Sequence, residues 1–244
     1  MTGDKFSLAL FILWLCCTAA QGVDLKRGCI AVGEWEPALV QRMAVVMSED
    51  VERVCSVKPR VVRSRTADEV AEGDVVLTTA ESAEVLKKVG VRADDIRGDW
   101  ERYKIVTKDG RLVIVGSDAR GLAYGVLHVS ERIGVNPWYW WADVPAVHRE
   151  EVKYRENVTS KSPSVKYRGF FINDEDWGLK TWAAGNFERD LGDIGPKTYD
   201  RVCELLLRLK GNMLAPAMHT CTGAFYSHPE SQVRAAEWGI MVTT

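Results

Sequence analysis

Short apolar runs alternate with amphipathic segments through residues 165–244, and this alternation limits the fold more than any other feature. Apolar runs at 165–172, 212–219 and 240–244 predict strands, and helices are predicted between them at 196–210 and 227–238. A β-α-β-α-β order predicts a parallel sheet with right-handed crossovers. These units are too few to close an eight-stranded (β/α)8 barrel, so we expect either a small open sheet or the first units of an incomplete barrel.

Local signals support these helices. Pro196 suits a first helical turn, and Gly211 marks the end of the helix. Ser227 and Glu230 have the spacing of a capping box, which predicts the start of the second helix. Pro216 weakens the strand predicted at 212–219, because proline donates no ladder hydrogen bond.

Residues 23–158 have a different pattern, which predicts a separate α/β sandwich domain. Two apolar runs flank Asp109-Gly110, which is typical of a β-hairpin. After it, Leu122, Val126, Val129 and Ile133 form one apolar helical stripe, and Gly134 is placed to end that helix.

Four aromatic residues follow at 138–141, and a polar stretch follows at 150–161. The aromatic residues are interpreted first as a plug between two domains, because aromatic side chains bury large areas. A sugar-stacking surface is the alternative. The polar stretch is interpreted as a linker, so residues 159–244 are predicted to be a second domain, the truncated start of a catalytic barrel.

Residues 1–22 have the layout of a secretory signal peptide, with Lys5 before an apolar run and small residues near its end. We therefore expect a secreted protein, extracellular or periplasmic, without a membrane anchor after cleavage. Export would permit disulfides, although free thiols are the alternative. The mature chain keeps four cysteines, whose pairing stays open: Cys29, Cys55, Cys203 and Cys221. Asn157 begins a glycosylation sequon.

Charge and motifs exclude several classes of function. The net charge is −2 and the pI about 6.1, which argues against nucleic acid or an anionic membrane as the main partner. The sequence has no P-loop motif, so a nucleotide-binding α/β protein has little support. A zinc site built from Cys203, His219, Cys221 and His228 matches no standard spacing. No cofactor and no metal are expected.

The strongest chemical signal follows the first predicted strand of the second part. Five residues stand there: Asn173, Asp174, Glu175, Asp176 and Trp177. His219 ends the second predicted strand. Sites in parallel α/β sheets lie at the carboxyl ends of strands, so these side chains are expected on one rim. Carboxylates beside an indole suit glycoside hydrolysis, which commonly uses two carboxyl groups. The alternatives are a hard-cation site and an acidic loop that caps the helix at residue 196.

Four blocks carry a resemblance to a known family. They are SDARGLAYGVLHVSERIGVNPWYWWADVP (117–145), SPSVKYRGFFINDEDWGLKTWA (162–183), GPKTYDRVCELLLRLKGNMLAPAMH (195–219) and AAEWGIMV (235–242). Together they resemble the N-terminal portion of glycoside hydrolase family 115, ending inside that family's barrel.

The resemblance implies an exo-acting, inverting α-glucuronidase without a cofactor. Its expected substrates are glucuronoxylan and aldouronic acid oligosaccharides, from which it would release glucuronic acid, often 4-O-methylated, at α-1,2 linkages. Full-length members can form dimers. By this resemblance Asp176 and Glu175 are the catalytic candidates. The candidates for binding substrate are Asn173, Asp174, Trp177 and His219.

The chain departs from the family pattern because most barrel strands are missing. A partner carboxylate and an arginine clamp for the uronate are expected beyond Thr244. The 244-residue chain is therefore expected to be inactive alone or a partial gene product. The alternative function is a non-catalytic carbohydrate-binding protein that keeps Trp177 and the aromatic residues at 138–141.

Overall fold

The structure is a computed structural model that describes residues 22–173 and 176–243. The predicted signal peptide lies outside the described residues except for residue 22, and Asp174 and Glu175 also lie outside them. Among the described helices, none has the length and apolar character needed to cross a bilayer.

A six-stranded sheet forms the centre of the first part. The elements of this part are β1 (Val23–Asp24), β2 (Cys29–Gly33), α1 (Ala38–Cys55), β3 (Arg60–Ser64), α2 (Ala67–Ala71), β4 (Val75–Thr79), α3 (Ala83–Lys88), β5 (Tyr103–Lys108), β6 (Arg111–Gly116), α4 (Ala119–Ile133), β7 (Lys153–Tyr154) and β8 (Asn157–Thr159). Strands β1 and β7 form a short two-stranded ribbon beside the six-stranded sheet. The sheet order is β3-β2-β4-β6-β5-β8. Strands β3, β2, β4 and β6 are parallel, and β5 pairs antiparallel with both β6 and β8.

Helices cover both faces of this sheet, which explains why its central strands are apolar throughout. In β4, Val75 and Leu77 pack into the core under α1 and α4, whereas Val76 packs into a second core under α2 and α3. A parallel strand covered on both faces has no polar side to show in its sequence. The mixed α/β class predicted from the sequence is confirmed.

The predicted hairpin and helix are confirmed. Asp109 and Gly110 both have positive φ, 49° and 75°, as a tight β5–β6 turn requires. Asp118 caps α4 by accepting a 2.7 Å hydrogen bond from the backbone of Gly121, and Gly134 ends it at φ 114°. The predicted apolar stripe of α4 is buried.

The second part contains the predicted β-α-β-α-β order. Its elements are β9 (Gly169–Phe171), α5 (Leu179–Trp182), a π-helical turn (Ala183–Phe187), α6 (Pro196–Arg208), β10 (Met213–Ala215), a 3-10 turn (Phe225–Ser227), α7 (Pro229–Glu237) and β11 (Met241–Val242). The three strands are parallel, in the order β11-β10-β9.

The strands are shorter than predicted. Strand β10 ends at Ala215 because Pro216 cannot donate the next ladder bond. The predicted capping box is wrong: Ser227 Oγ donates to the carbonyl of Ala224 at 2.6 Å, and α7 begins at Pro229 without a side-chain cap. Proline at the first helical position makes His228 the cap residue.

The polar stretch at 150–161 is not a free linker. It contains β7, which pairs with β1, and β8, which pairs with β5 at the edge of the larger sheet. Asn157, the sequon residue, lies in β8, and its side-chain oxygen accepts a 2.8 Å hydrogen bond from the backbone of Thr107. The predicted boundary after residue 158 falls within this strand.

The aromatic segment at 138–141 joins the two parts, as predicted. The Tyr139 hydroxyl donates to Glu204 at 2.8 Å, and the Trp141 indole donates to the carbonyl of Arg201 at 3.2 Å. Trp140 contacts Trp182 edge to face at a centroid distance of 5.7 Å. One buried core runs through both parts.

In the described part of the chain, no disulfide joins Cys29, Cys55, Cys203 or Cys221. The Cys203 thiol is fully buried, and its surroundings, chiefly burial itself, raise its pKa to about 12. The structure therefore matches the free-thiol alternative rather than a disulfide framework.

Candidate functional site

The candidate site lies at the carboxyl ends of β9 and β10. Strand β9 is followed by the buried Ile172 and the exposed Asn173, and then by the turn that carries Asp176 and Trp177. Strand β10 is followed by the segment that carries His219. Adjacent parallel strands end at the same edge, which is why residues so far apart in sequence meet here.

Asp176 and His219 form the central contact of this site. The Asp176 Oδ2 atom lies 2.9 Å from His219 Nδ1, with both side chains partly exposed to solvent. The prediction that these two residues share one rim is confirmed. A carboxylate held against an imidazole can transfer a proton or fix the ring tautomer.

Trp177 lies beside this pair with 90 % of its surface exposed, which is unusual for a residue of its size. An indole this open offers a face for stacking. Asn173 is exposed at the end of β9. The predicted candidates Asp174 and Glu175 lie outside the described residues.

Aromatic packing positions the turn that carries Asp176 and Trp177. Helix α5 begins directly after this turn, at Leu179. Its last residue, Trp182, and Phe187 of the π-helical turn both contact Trp140. The aromatic plug therefore also fixes the first of the two site segments.

Asp193 supports the second segment and was not anticipated from the sequence. Its Oδ2 atom accepts a 2.8 Å hydrogen bond from the backbone of Gly223 and lies 3.3 Å from His228 Nε2. The backbone N–H of Thr222 donates to the carbonyl of His219 at 3.1 Å. No local sequence pattern links Asp193 to His228, because the contact depends on the packing of two loops.

The structure separates the four cysteine and histidine residues that match no standard zinc-site spacing. His219 and Cys221 lie together at the rim, whereas His228 contacts Asp193 and Cys203 is buried in α6. Asp176, His219 and Cys221 each place one potential ligand atom within 4.8 Å of the others. Carboxylate, imidazole and thiolate are zinc ligands, so this trio is the donor set that could hold such an ion.

Glu188, rather than Asp176, caps α6. It accepts hydrogen bonds from the backbones of Gly195, Lys197 and Thr198 at 2.9 to 3.0 Å. The interpretation in which the acidic loop caps this helix therefore does not apply to Asp176, which is paired with His219 instead.

Two cavities flank the rim. One of about 410 Å³ lies across the ends of the three strands and is lined mainly by apolar side chains, including Phe171, Met218 and Tyr226, with Thr243 at one side. Another of about 970 Å³ lies against the aromatic segment at 138–141 and also touches Phe171. Phe171 lines both spaces, which the sequence does not indicate because the residue has the pattern of an ordinary strand residue.

These features define an α/β protein whose candidate site is a carboxylate–imidazole pair with an open indole at the ends of parallel strands. The model of the glycosyl hydrolase family 115 matches residues 160–244, which include every predicted catalytic and substrate-binding residue.

A solved structure similar to the chain is a family GH115 4-O-methyl-alpha-glucuronidase, BtGH115A, described as specific for decorated arabinogalactans. The identity is 34 % and the TM-score 0.80, and the match covers 88 % of this chain and 28 % of that one. The chain belongs to glycosyl hydrolase family 115. It spans just over a quarter of the length of that glucuronidase.

Two further structures share the fold at low identity. The Streptomyces plicatus N-acetyl-beta-hexosaminidase has a TM-score of 0.59 and 14 % identity over 92 % of this chain and 42 % of that one. The Flavobacterium johnsoniae chitobiase has a TM-score of 0.55 and 10 % identity over 91 % of this chain and 31 % of that one. Among curated proteins no match was found.

Proposed function

We propose that this chain forms one side of the sugar pocket of an α-glucuronidase. The enzyme would release glucuronic acid, or its 4-O-methyl ether, from α-1,2 linkages on xylan with inversion. The observation that carries the proposal is the 2.9 Å contact between Asp176 and His219 beside the open Trp177. It lies within the segment that matches the family.

Each side chain has a role in this proposal. Asp176 is a catalytic carboxyl group, acting as general acid or general base. His219 orients that carboxyl group and contacts the uronic acid. The indole of Trp177 stacks on the apolar face of a pyranose ring, while Asn173 and Asp174 bind hydroxyl groups. Glu175 is the other catalytic candidate.

Inversion needs a second carboxyl group, because a water molecule must enter between acid and base, which are about 6.5–9.5 Å apart. The partner is proposed to come from further family 115 segments, as is the clamp for the uronate. The 244-residue chain would then be inactive by itself. Secretion, which rests on residues 1–22, belongs to the same proposal.

The test is an assay of glucuronic acid release. Aldouronic acids from xylan and a glucuronic acid-decorated arabinogalactan are each incubated with the chain and with any longer product that the gene encodes past Thr244. We expect release from the xylan oligosaccharides by the longer product alone. Release by the 244-residue chain would overturn the proposed inactivity, and preference for the arabinogalactan would overturn the proposed substrate.

A non-catalytic carbohydrate-binding protein is the second candidate. The observation that favours it is the 970 Å³ space lined by aromatic side chains, together with the exposed Trp177. A stop codon directly after Thr244, together with calorimetric binding of aldouronic acids that Trp177→Ala weakens, would support this function over catalysis.

A further inference from the structure

A second cleft opens at the other sheet, at the carboxyl ends of β2 and β4. Strand β2 leads into α1 on one face of the sheet, whereas the neighbouring β4 leads into α3 on the opposite face. The chain therefore leaves two adjacent parallel strands in opposite directions, which is the topology that opens ligand crevices in α/β sheets. The cleft has a volume of about 640 Å³, and its walls include Trp35, Arg65, Thr66 and Ser82.

Trp35 lies fixed in the wall of this cleft. Its ring lies directly against the backbone of Gly33, where a Cβ atom would come within 2.5 Å of the indole. The indole N–H donates to Ser82 Oγ at 3.1 Å. Even so, 47 % of Trp35 remains exposed, so one part of the ring is held while another part faces the open space.

The anchor behind Trp35 is a buried carboxylate. Glu36 is only 5 % exposed and accepts hydrogen bonds from Thr78 Oγ1, Thr79 N and Thr79 Oγ1 at 2.8 to 3.0 Å. The Ser82 hydroxyl donates to the same carboxylate at 2.7 Å. Burying a carboxylate is costly unless it is fully hydrogen-bonded. These four bonds tie the loop after β2 to the end of β4 and to the loop that follows it, and they fix the geometry around the indole.

The charged side chains around the cleft favour an uncharged ligand over an anionic one. Three acids line it, Asp68, Glu81 and Glu84, with one lining cation, Arg65. Lys88 pairs with Asp68 and Glu84, and Arg97 lies 3.5 Å from Glu81. Arg65 Nε is itself paired with Glu34 at 3.1 Å. Together with Glu34 and Glu36, five carboxylates stand here against three cations. This small excess of negative charge repels a uronate or a phosphate but not an uncharged ring with hydroxyl groups.

We propose that the Trp35 cleft binds a neutral pyranose of a polysaccharide main chain, at a site separate from the Asp176–His219 rim. The indole stacks on the apolar face of the ring, and the polar side chains around it bind hydroxyl groups. The choice of a sugar as ligand rests on the proposed function. The site itself rests on the cleft, the fixed indole and the charges.

The test uses the ¹⁵N-labelled chain, titrated with xylohexaose or β-1,3-galactohexaose while the tryptophan indole resonances are followed by NMR. Comparison with Trp35→Phe assigns the Trp35 signal. We expect that signal to move and saturate with a Kd on the order of 1 mM. Methyl glucuronide should move it at least tenfold less at equal concentration.

Three variants separate this site from the candidate catalytic site. Trp35→Ala should abolish the binding detected by calorimetry, and Trp35→Phe, which keeps an aromatic ring, should retain part of it. Trp177→Ala should leave the Trp35 shift unchanged, so failure of the proposed glucuronidase site would not affect this result. Trp100→Ala, which removes a partly exposed indole outside both proposed sites, is the matched control. No shift with either oligosaccharide, or full binding by Trp35→Ala, would overturn the proposal.

Discussion

The guanidinium of Arg208 donates two hydrogen bonds, each 2.9 Å long, to the carboxylate of Asp50. The two side chains are 3 % and 0 % exposed, so this is a buried ion pair between α6 and α1. Arg208 also donates to Glu204, and Arg53 donates to Asp50 at 3.1 Å. The pair connects the sheet with the candidate site to the sheet with the Trp35 cleft.

Asp50→Ala should strongly destabilise the fold, because it leaves a buried guanidinium without this partner. We expect the free energy of unfolding to fall by about 3–5 kcal/mol, as measured by urea denaturation at neutral pH. The matched control is Lys58→Ala, which removes an exposed contact with Glu52 at 3.5 Å and should cost about 0–1 kcal/mol. Equal losses in the two variants would contradict this account.

The buried carboxyl group of Glu204 should make the free energy of unfolding decrease in acid. Burial alone would raise the pKa of its carboxyl group, but Arg208, the hydrogen bond from Tyr139 and Arg201 together lower it below its usual 4.5. The unfolded chain therefore binds a proton before the folded one does. The stabilisation is present above about pH 4.5 and is lost as pH falls further.

Unfolding curves recorded between about pH 6 and pH 3 test this linkage. In Glu204→Gln the free energy of unfolding should decline less steeply with acid than in the parent chain. Tyr139→Phe removes one of the hydrogen bonds that lower this pKa, so the pKa difference between the unfolded and folded chains becomes smaller. Less stability should therefore be lost to acid in this variant, with the loss still beginning near about pH 4.5. A parent-like slope in Glu204→Gln would show that another group causes the acid sensitivity.

Gly169 is required where β9 meets β10. A Cβ atom at this position would lie 1.7 Å from the carbonyl oxygen of Met213. This oxygen belongs to the backbone of β10, which cannot move aside as the end of a flexible side chain can. Gly169→Ala should lower the free energy of unfolding by about 1–3 kcal/mol, measured by urea denaturation. Gly185→Ala is the matched control, because nothing lies within 4 Å of its added Cβ. A loss in the control as large as in Gly169→Ala would refute the steric explanation.

Local periodicity in the sequence was sufficient to predict α4, the hairpin and the alternation of strands and helices, since these depend on neighbouring residues. The meeting of Asp176 and His219 was also predictable, because strand ends share one edge in a parallel sheet. These predictions need only the order of elements and the direction of each strand.

The buried charges could not be predicted in the same way. Asp50 and Arg208 are 158 residues apart, and each looks like a solvent-facing residue of its own helix. Glu36 likewise follows an exposed tryptophan, and only the fold reveals its hydroxyl donors on β4 and after it. The polar residues of β7 and β8 predict a linker instead of strands, because edge strands tolerate polar residues.

Asp176→Ala should abolish most turnover in any product that contains this segment and releases glucuronic acid. We expect kcat to fall by about 10²–10⁴-fold, the usual contribution of a positioned acid or base. The free energy of unfolding should change by less than about 0.5 kcal/mol, because the side chain lies on an open rim. Both quantities are measured on the same preparation, by aldouronic acid hydrolysis and urea denaturation.

His219→Gln gives a graded comparison, because glutamine keeps a hydrogen-bonding group but cannot take up a proton. If His219 orients Asp176, kcat should fall less than in Asp176→Ala, and the pH profile of kcat/KM should change shape. Asp190→Ala removes an exposed acid from the same part of the chain and is the control, with unchanged turnover. Parent-like turnover in Asp176→Ala would remove this carboxylate from the catalytic mechanism, whatever the result for His219.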